Sequence, residues 1–295
     1  MKTKKTIFRG VATALVTPFK EGKIDYEALE KIIEMQIFGG IDALVICGTT
    51  GEASALSDEE RYGLFKFCKE KVKGRVKLVF GTGTNDTAAA IRHTRVAEEI
   101  GCDGVLLVTP YYNKGTEEGV FRHYMKIVES TSLPAILYNV PSRTGVNLGL
   151  GLLSRLAECE QIVGIKEAAD SADRLVSLSA FGESLPLYAG NDSQIYTTLA
   201  LGGEGVISVV SNVLPRESAE IARLFDQGKT KEALAAQQKL LPLINALFLE
   251  TNPAPVKWAM QELGICSAEL RLPLYFPRES TAEALRERLA ELGLV

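Results

Sequence analysis

The chain has 295 residues, 46% of them apolar, and a formal net charge of −4. That is enough for one large domain or two ordinary ones around a sizeable core. The weak negative balance leaves no basic footprint for nucleic acid, and no apolar run nears the ~20 residues that a membrane span needs.

Short apolar or β-branched runs alternate with segments of helical period along most of the chain. Strands are expected at 11–17, 43–47, 76–80, 104–109, 134–138, 162–166, 187–189 and 206–208. Helices are expected between them at 26–38, 58–72, 87–100, 117–130, 148–158, 172–181, 193–201 and 216–227. Strands alternating with helices of this length predict βαβ units and a parallel sheet. Eight repeats over ~220 residues predict an α/β fold, a closed (β/α)8 TIM barrel. An open doubly wound sheet would carry fewer strands and a Gly-rich fingerprint after the first one, and the sequence has neither. Strand signals stop after residue 228. Two or three helices are expected beyond it, at 230–250, 255–263 and in a terminal stretch near 280–292, with Asn252-Pro253 as a break. The expected organisation is a catalytic barrel over 1–228 and a C-terminal helical region over 229–295 packed on it.

Residues 1–6 are basic, but Arg9 and Gly10 interrupt the stretch that follows, so no secretory signal is read. The five cysteines are scattered and form no C-x-x-C pair. That points to a reducing cytoplasm and away from a disulfide framework or a zinc site. His93 and His123 fall in helical segments and read as surface residues. A His-based triad or a His-rich metal centre is not expected.

In barrels of this kind, reacting groups sit where strands end and loops begin. Two expected strands end in reactive side chains, one in Tyr138 and the next in Lys166. An amine held in an apolar site loses its proton more easily than in water. A neutral lysine attacks carbonyls to give a Schiff base, and a nearby phenol can carry protons. Other strand ends supply Gly48-Thr49-Thr50-Gly51-Glu52, Thr109-Pro110-Tyr111-Tyr112-Asn113, Ser142-Arg143-Thr144 and Gly190-Asn191-Asp192. Each has a plain structural reading: a solvated strand end for Lys166, an ordinary strand residue for Tyr138, a helix cap in the threonine turn, a surface arginine for Arg143. The functional reading makes the threonine turn an anion cradle and Arg143 a fork for a substrate carboxylate. Together at one barrel mouth, these groups fit Schiff-base lyase or aldolase chemistry on small keto acids. No metal and no cofactor is expected.

The chain resembles the dihydrodipicolinate synthase family, also called 4-hydroxy-tetrahydrodipicolinate synthases, of the pyruvate-dependent aldolase superfamily that includes N-acetylneuraminate lyase. The resemblance runs nearly end to end. It is carried by Thr13 to Phe19, the threonine turn at 48–52, Val108 to Asn113, Tyr138-Asn139-Val140-Pro141-Ser142-Arg143-Thr144-Gly145, Gly164-Ile165-Lys166-Glu167, Gly203 to Ser208, and Asn252-Pro253-Ala254-Pro255-Val256-Lys257. The threonine turn and Lys166-Glu167 mark the superfamily broadly, and the Arg143 motif is more specific to the synthases. The resemblance implies that Lys166 condenses with pyruvate. It implies a proton relay of Tyr138, Thr49 and Tyr112, with Tyr112 reaching in from a neighbouring subunit. Thr50 then holds the pyruvate carboxylate, Arg143 receives aspartate semialdehyde, and Gly190 and Ile207 complete the substrate site. A homodimer is the minimal unit implied, and a tetramer of two dimers the expected state. Alternatives are a 2-keto-3-deoxy sugar-acid aldolase and a barrel that only senses a keto acid. Many relatives are inhibited by lysine. Here Asp58 and Arg61 stand where inhibited relatives carry histidines, and Ala89 where they carry a glutamate. Ser54, Asn85 and Tyr111 are kept. Weak or absent lysine inhibition is therefore expected.

Overall fold

The structure is a computed structural model and describes residues 3–295. The basic start of the chain lies partly outside the described residues. Eight parallel strands close into a barrel. They are β1 (Gly10–Ala14), β2 (Ala43–Ile46), β3 (Lys77–Gly81), β4 (Gly104–Val108), β5 (Ala135–Asn139), β6 (Ile162–Glu167), β7 (Leu187–Ala189) and β8 (Gly205–Ser208). Each pairs with its sequence neighbours, and β8 closes on β1 with Gly10 opposite Gly205. Closure needs glycine there: Gly205 has φ +144°, and a Cβ on it would lie 1.8 Å from the Gly10 carbonyl oxygen.

Helices α1 (Tyr26–Phe38), α2 (Asp58–Val72), α3 (Thr87–Ile100), α4 (Glu117–Val128), α5 (Pro141–Thr144), α6 (Leu150–Ala157), α7 (Ala172–Ser179), α8 (Ile195–Ala200) and α9 (Pro215–Asp226) follow the strands. The strands are buried on both faces, as parallel strands under a helical coat must be. Alternation then sorts the side chains into two layers. Leu44, Leu137 and Ile165 belong to the cluster under the helices. Val45, Ile136, Tyr138 and Tyr188 fill the barrel interior. Tyr138 follows outward Leu137 and Lys166 follows outward Ile165, so both point into the barrel.

Beyond residue 229, α10 (Thr230–Ala246) packs on α8 and α9, α11 (Ala254–Glu262) on the turn at Val210–Asn212, and α12 (Glu279–Glu291) on α10 and α11. No helix among the described residues is long and apolar enough to cross a membrane.

Several expectations are corrected. The first strand stops at Ala14 instead of Thr17, and Phe19–Lys20 pairs with Lys23–Ile24 in an antiparallel hairpin. Pro18, which lacks a backbone N–H, cannot extend a ladder there. The helix expected at 193–201 is shortened to Ile195–Ala200 by a preceding 3₁₀ turn, Asp192–Gln194. The short α5, started by Pro141, was not foreseen. His93 and His123 are not surface residues; each is 6% exposed. Each finds a hydroxyl inside: Tyr62 lies 3.0 Å from His93 Nδ1, and Thr87 lies 2.9 Å from His123 Nδ1. Burial draws the His123 imidazole down to about 4.

Candidate active site

Tyr138 and Lys166 are partners across the β5–β6 ladder. The Lys166 Nζ sits 4.4 Å from the centroid of the Tyr138 ring, and the side chain is 5% exposed. Burial draws the amine down to about 8; Asp192 pulls the other way, and the Arg143 guanidinium adds to the fall. The same burial raises the Tyr138 phenol, while Arg143 and a hydrogen bond with Thr49 hold it back. The pair therefore offers an amine that loses its proton readily beside a phenol that keeps its own.

Both face a cavity of about 250 Å³ at the carboxyl ends of the strands, lined also by Thr49, Thr50, Arg143, Gly190, Val209, Phe248 and Asn252. Thr50 is 2% exposed, and Asn252 Nδ2 donates to its Oγ1 at 3.0 Å. Arg143 Nη2 donates to the Asn252 carbonyl oxygen at 3.0 Å. Asn252 thus ties the threonine turn to the arginine, and its own Oδ1 is buried with no hydrogen-bond partner among the described residues. Gly190 N donates to the Glu167 carbonyl oxygen at 2.6 Å, and a Cβ there would lie 2.6 Å from the Ala168 Cβ. Only glycine lets that backbone come so close.

Two expected site residues stand apart from this cavity. Ile207 does not line it. It is wholly buried in the barrel interior beneath, in the cluster that holds Tyr138 and Ala14, and Val209 takes the lining position. Alternation along the strand explains the depth, since Ile207 points into the barrel before the strand has ended. Tyr112 is 88% exposed and does not line its own chain's cavity. It holds φ +69°, a left-handed backbone uncommon for a bulky residue.

Glu167 and Asp192 stand in strand-end motifs of the sequence, but sequence reading assigns neither a role. Glu167, wholly buried, accepts from Asn139 Nδ2 at 2.9 Å, from Ala169 N at 2.9 Å and from Arg174 Nε at 3.1 Å. Asp192 Oδ2 accepts from the amides of Val209 and Val210, both at 2.9 Å. Glu167 thus ties the end of β6 to β5 and α7, and Asp192 ties the turn after β7 to the residues that follow β8. Asn252 appeared in the sequence as a helix break and as the start of a motif shared with the family, with no role at the site. Its signal, an amide beside a proline, is the ordinary signal of a turn.

A second cavity of about 350 Å³ adjoins the first and shares Thr49, Tyr138, Arg143 and Asn252 with it. Ser54, Ala55, Arg61, His93, Tyr111 and Arg271 line its far part. Asn85 does not line it; Thr84 does. Among the described residues no group of three or more His, Cys, Asp or Glu side chains is placed to hold a metal ion.

The family model of the dihydrodipicolinate synthetase family matches residues 7–292. The chain belongs to that family. It is 46% identical to the 4-hydroxy-tetrahydrodipicolinate synthase of Clostridium novyi over 285 residues, 96% of either chain. Among solved structures, dihydrodipicolinate synthase of Thermotoga maritima superposes with a TM-score of 0.96 at 42% identity, covering 98% of this chain and all of that one. The chloride-inhibited synthase of Acinetobacter baumannii, solved in complex with pyruvate, superposes with a TM-score of 0.95 at 41% identity, covering 98% of this chain and all of that one. The eight-stranded barrel is thus the architecture of the synthetase family, and Lys166, Tyr138, Thr49, Thr50 and Arg143 meet at its mouth.

Proposed function

We propose that this chain condenses pyruvate with L-aspartate 4-semialdehyde to give 4-hydroxy-tetrahydrodipicolinate, an early step towards diaminopimelate and lysine. The observation that carries the reading is Lys166, dry and drawn down to about 8, against the Tyr138 ring. Neutral Lys166 attacks the keto carbon of pyruvate, and water leaves as the iminium forms. Loss of a methyl proton gives an enamine, which is a carbon nucleophile. It attacks the aldehyde carbon of the semialdehyde. The amine of that substrate then adds to the iminium carbon, closes the ring and releases Lys166. Tyr138 and Thr49 carry the protons, Thr50 holds the pyruvate carboxylate, and Arg143 receives the carboxylate of the second substrate. Gly190 keeps the backbone at the site close, and Ile207 forms the floor under Tyr138. A coupled assay with pyruvate and aspartate semialdehyde tests the reading. Turnover is expected with the semialdehyde and not with sugar acids; the reverse preference overturns it.

The assembly belongs to the same proposal. Tyr112, turned out of its own chain, is the third member of the relay in a neighbour's site, so a homodimer is the minimal active unit and a dimer of dimers the expected state. Lys166→Ala and Tyr112→Phe subunits, each inactive or nearly so alone, should regain part of the activity when mixed. A mixed dimer rebuilds one complete site. No recovery after mass-confirmed subunit exchange counts against the shared site.

Lysine is expected to inhibit weakly or not at all. The one acidic side chain among those lining the larger cavity is Glu52, and it is already bonded to Lys257 at 2.6 Å. Asp58 lies outside that lining, 57% exposed, 3.8 Å from His93 Nε2. Arg61 and Arg271 line the cavity and add like charge. An incoming ammonium group would be desolvated there without a free partner, which costs affinity. Strong inhibition by sub-millimolar lysine in a steady-state titration overturns this expectation, Asp58 being the carboxylate that could then stand in for the missing partner.

A further inference from the structure

Lys257 lies in α11, far along the chain from the strand ends that hold the site. It is nonetheless wholly buried, as is Glu52, and its Nζ donates to Glu52 Oε1 at 2.6 Å across 205 residues of sequence. We propose that this ion pair is the positioning device of the Thr49–Thr50 turn, through which the C-terminal helices set the grip on the keto-acid carboxylate. The inference rests on the Schiff-base reading above.

Stability alone does not account for such a pair. Two charges taken out of water cost several kcal/mol each, and apolar residues of like volume often serve the fold as well or better. A buried pair does offer direction, and the turn needs it. Glu52 sits at φ +52°, ψ +38°, in the left-handed region. A residue with a Cβ stays there only when its surroundings hold it. Both carboxylate oxygens are held: Oε1 by Lys257, and Oε2 by the Arg271 amide at 3.0 Å. Lys257 is itself fixed. Its Nζ also donates to the Glu269 carbonyl oxygen at 2.7 Å and lies 4.2 Å from the centroid of the buried Phe19 ring.

The hold passes directly to the site. Glu52 N donates to the Thr49 carbonyl oxygen, and Gly51 N to that of Gly48, both at 3.1 Å. Thr17 Oγ1 donates to the Gly51 carbonyl oxygen at 2.7 Å, fixing the turn's other edge. The same C-terminal segment grips a second point, since Asn252 Nδ2 bonds Thr50 Oγ1 and the Asn252 carbonyl oxygen takes the Arg143 fork. Lys257 N in turn donates to the Pro253 carbonyl oxygen at 3.0 Å, joining the two grips through one helix start. Moving Lys257 therefore moves the relay hydroxyl of Thr49, the carboxylate ligand Thr50 and the arginine together.

The test compares the parent with Lys257→Met and Glu52→Gln. Borohydride trapping at increasing pyruvate gives the half-saturating concentration, steady-state assay gives KM and kcat, and circular dichroism reports the fold. Half-saturating pyruvate is expected to rise about tenfold or more in both variants, because small misplacements of binding groups weigh heavily on a preorganised site. The rise in KM should exceed the fall in trapping rate at saturation, and the adduct should still form on Lys166. Folded variants whose half-saturation stays within about twofold of the parent overturn the inference, whatever their melting temperature. Should Lys257→Met fail to fold, Glu52→Gln, which keeps shape and an acceptor, decides alone. A parent that forms no pyruvate adduct defeats the Schiff-base reading itself, and the inference falls with it.

Discussion

Replacing Lys166 with alanine abolishes borohydride-trapped pyruvate and lowers turnover by ~10⁴-fold or more, since only binding and orientation would remain. Peptide mapping of the parent should place the whole adduct on this one lysine. The environment makes the site selective among the many lysines of the chain. With the amine drawn down to about 8, ~10% is neutral at pH 7, against ~0.03% for an ordinary lysine. The sign of the pH dependence follows. Only the neutral amine attacks, so the initial rate of adduct formation climbs as pH rises through about 8 and levels above it. A rate still climbing steeply at pH 10, or label on another lysine, defeats the assignment. The fold should survive the substitution. Alanine removes a buried amine that makes no ion pair within 4 Å among the described residues, so a charge that is costly to bury goes with it.

The barrel and the Lys166–Tyr138 pair were legible because both are written in local pattern. Apolar runs of strand length recur, and in two of them the residue before the reactive side chain is an aliphatic that the helices cover, Leu137 and Ile165. Period two then sends the next residue inward. What was not legible depends on residues far apart in sequence. Nothing near Glu52 announces Lys257, and nothing near Thr50 announces Asn252, 202 residues away. The histidines were misplaced for a related reason. Their helices carry many polar residues, so the burying partners, Tyr62 on α2 for His93 and Thr87 on α3 for His123, show only when helices pack. Tyr112 is the converse. The resemblance implies a relay role for it, yet its own chain turns it outward, 88% exposed, so the proposed role requires another subunit.

Arg143→Ala is expected to weaken use of the semialdehyde by ~1.5–3 kcal/mol or more, the loss of a charge-assisted contact in a dry site. In kcat/KM for that substrate this is ~10- to 100-fold or beyond. Pyruvate trapping should persist, because the proposed hold on the keto acid, by Thr50 and its turn, does not use the guanidinium. The structure adds a second, independent signature. Arg143 helps to lower Lys166 and to hold down the Tyr138 phenol. Its removal therefore lets both rise, and the pH at which the pyruvate adduct forms should move upward. Arg143→Lys separates the two effects. It keeps the charge, and so the pH profile, but loses the planar fork that matches a carboxylate and bonds the Asn252 carbonyl oxygen. An alanine variant whose pyruvate trapping falls as far as its turnover would make Arg143 a structural brace for Asn252 instead of a substrate ligand. A lysine variant that loses semialdehyde use with an unmoved pH profile would assign the loss to the fork.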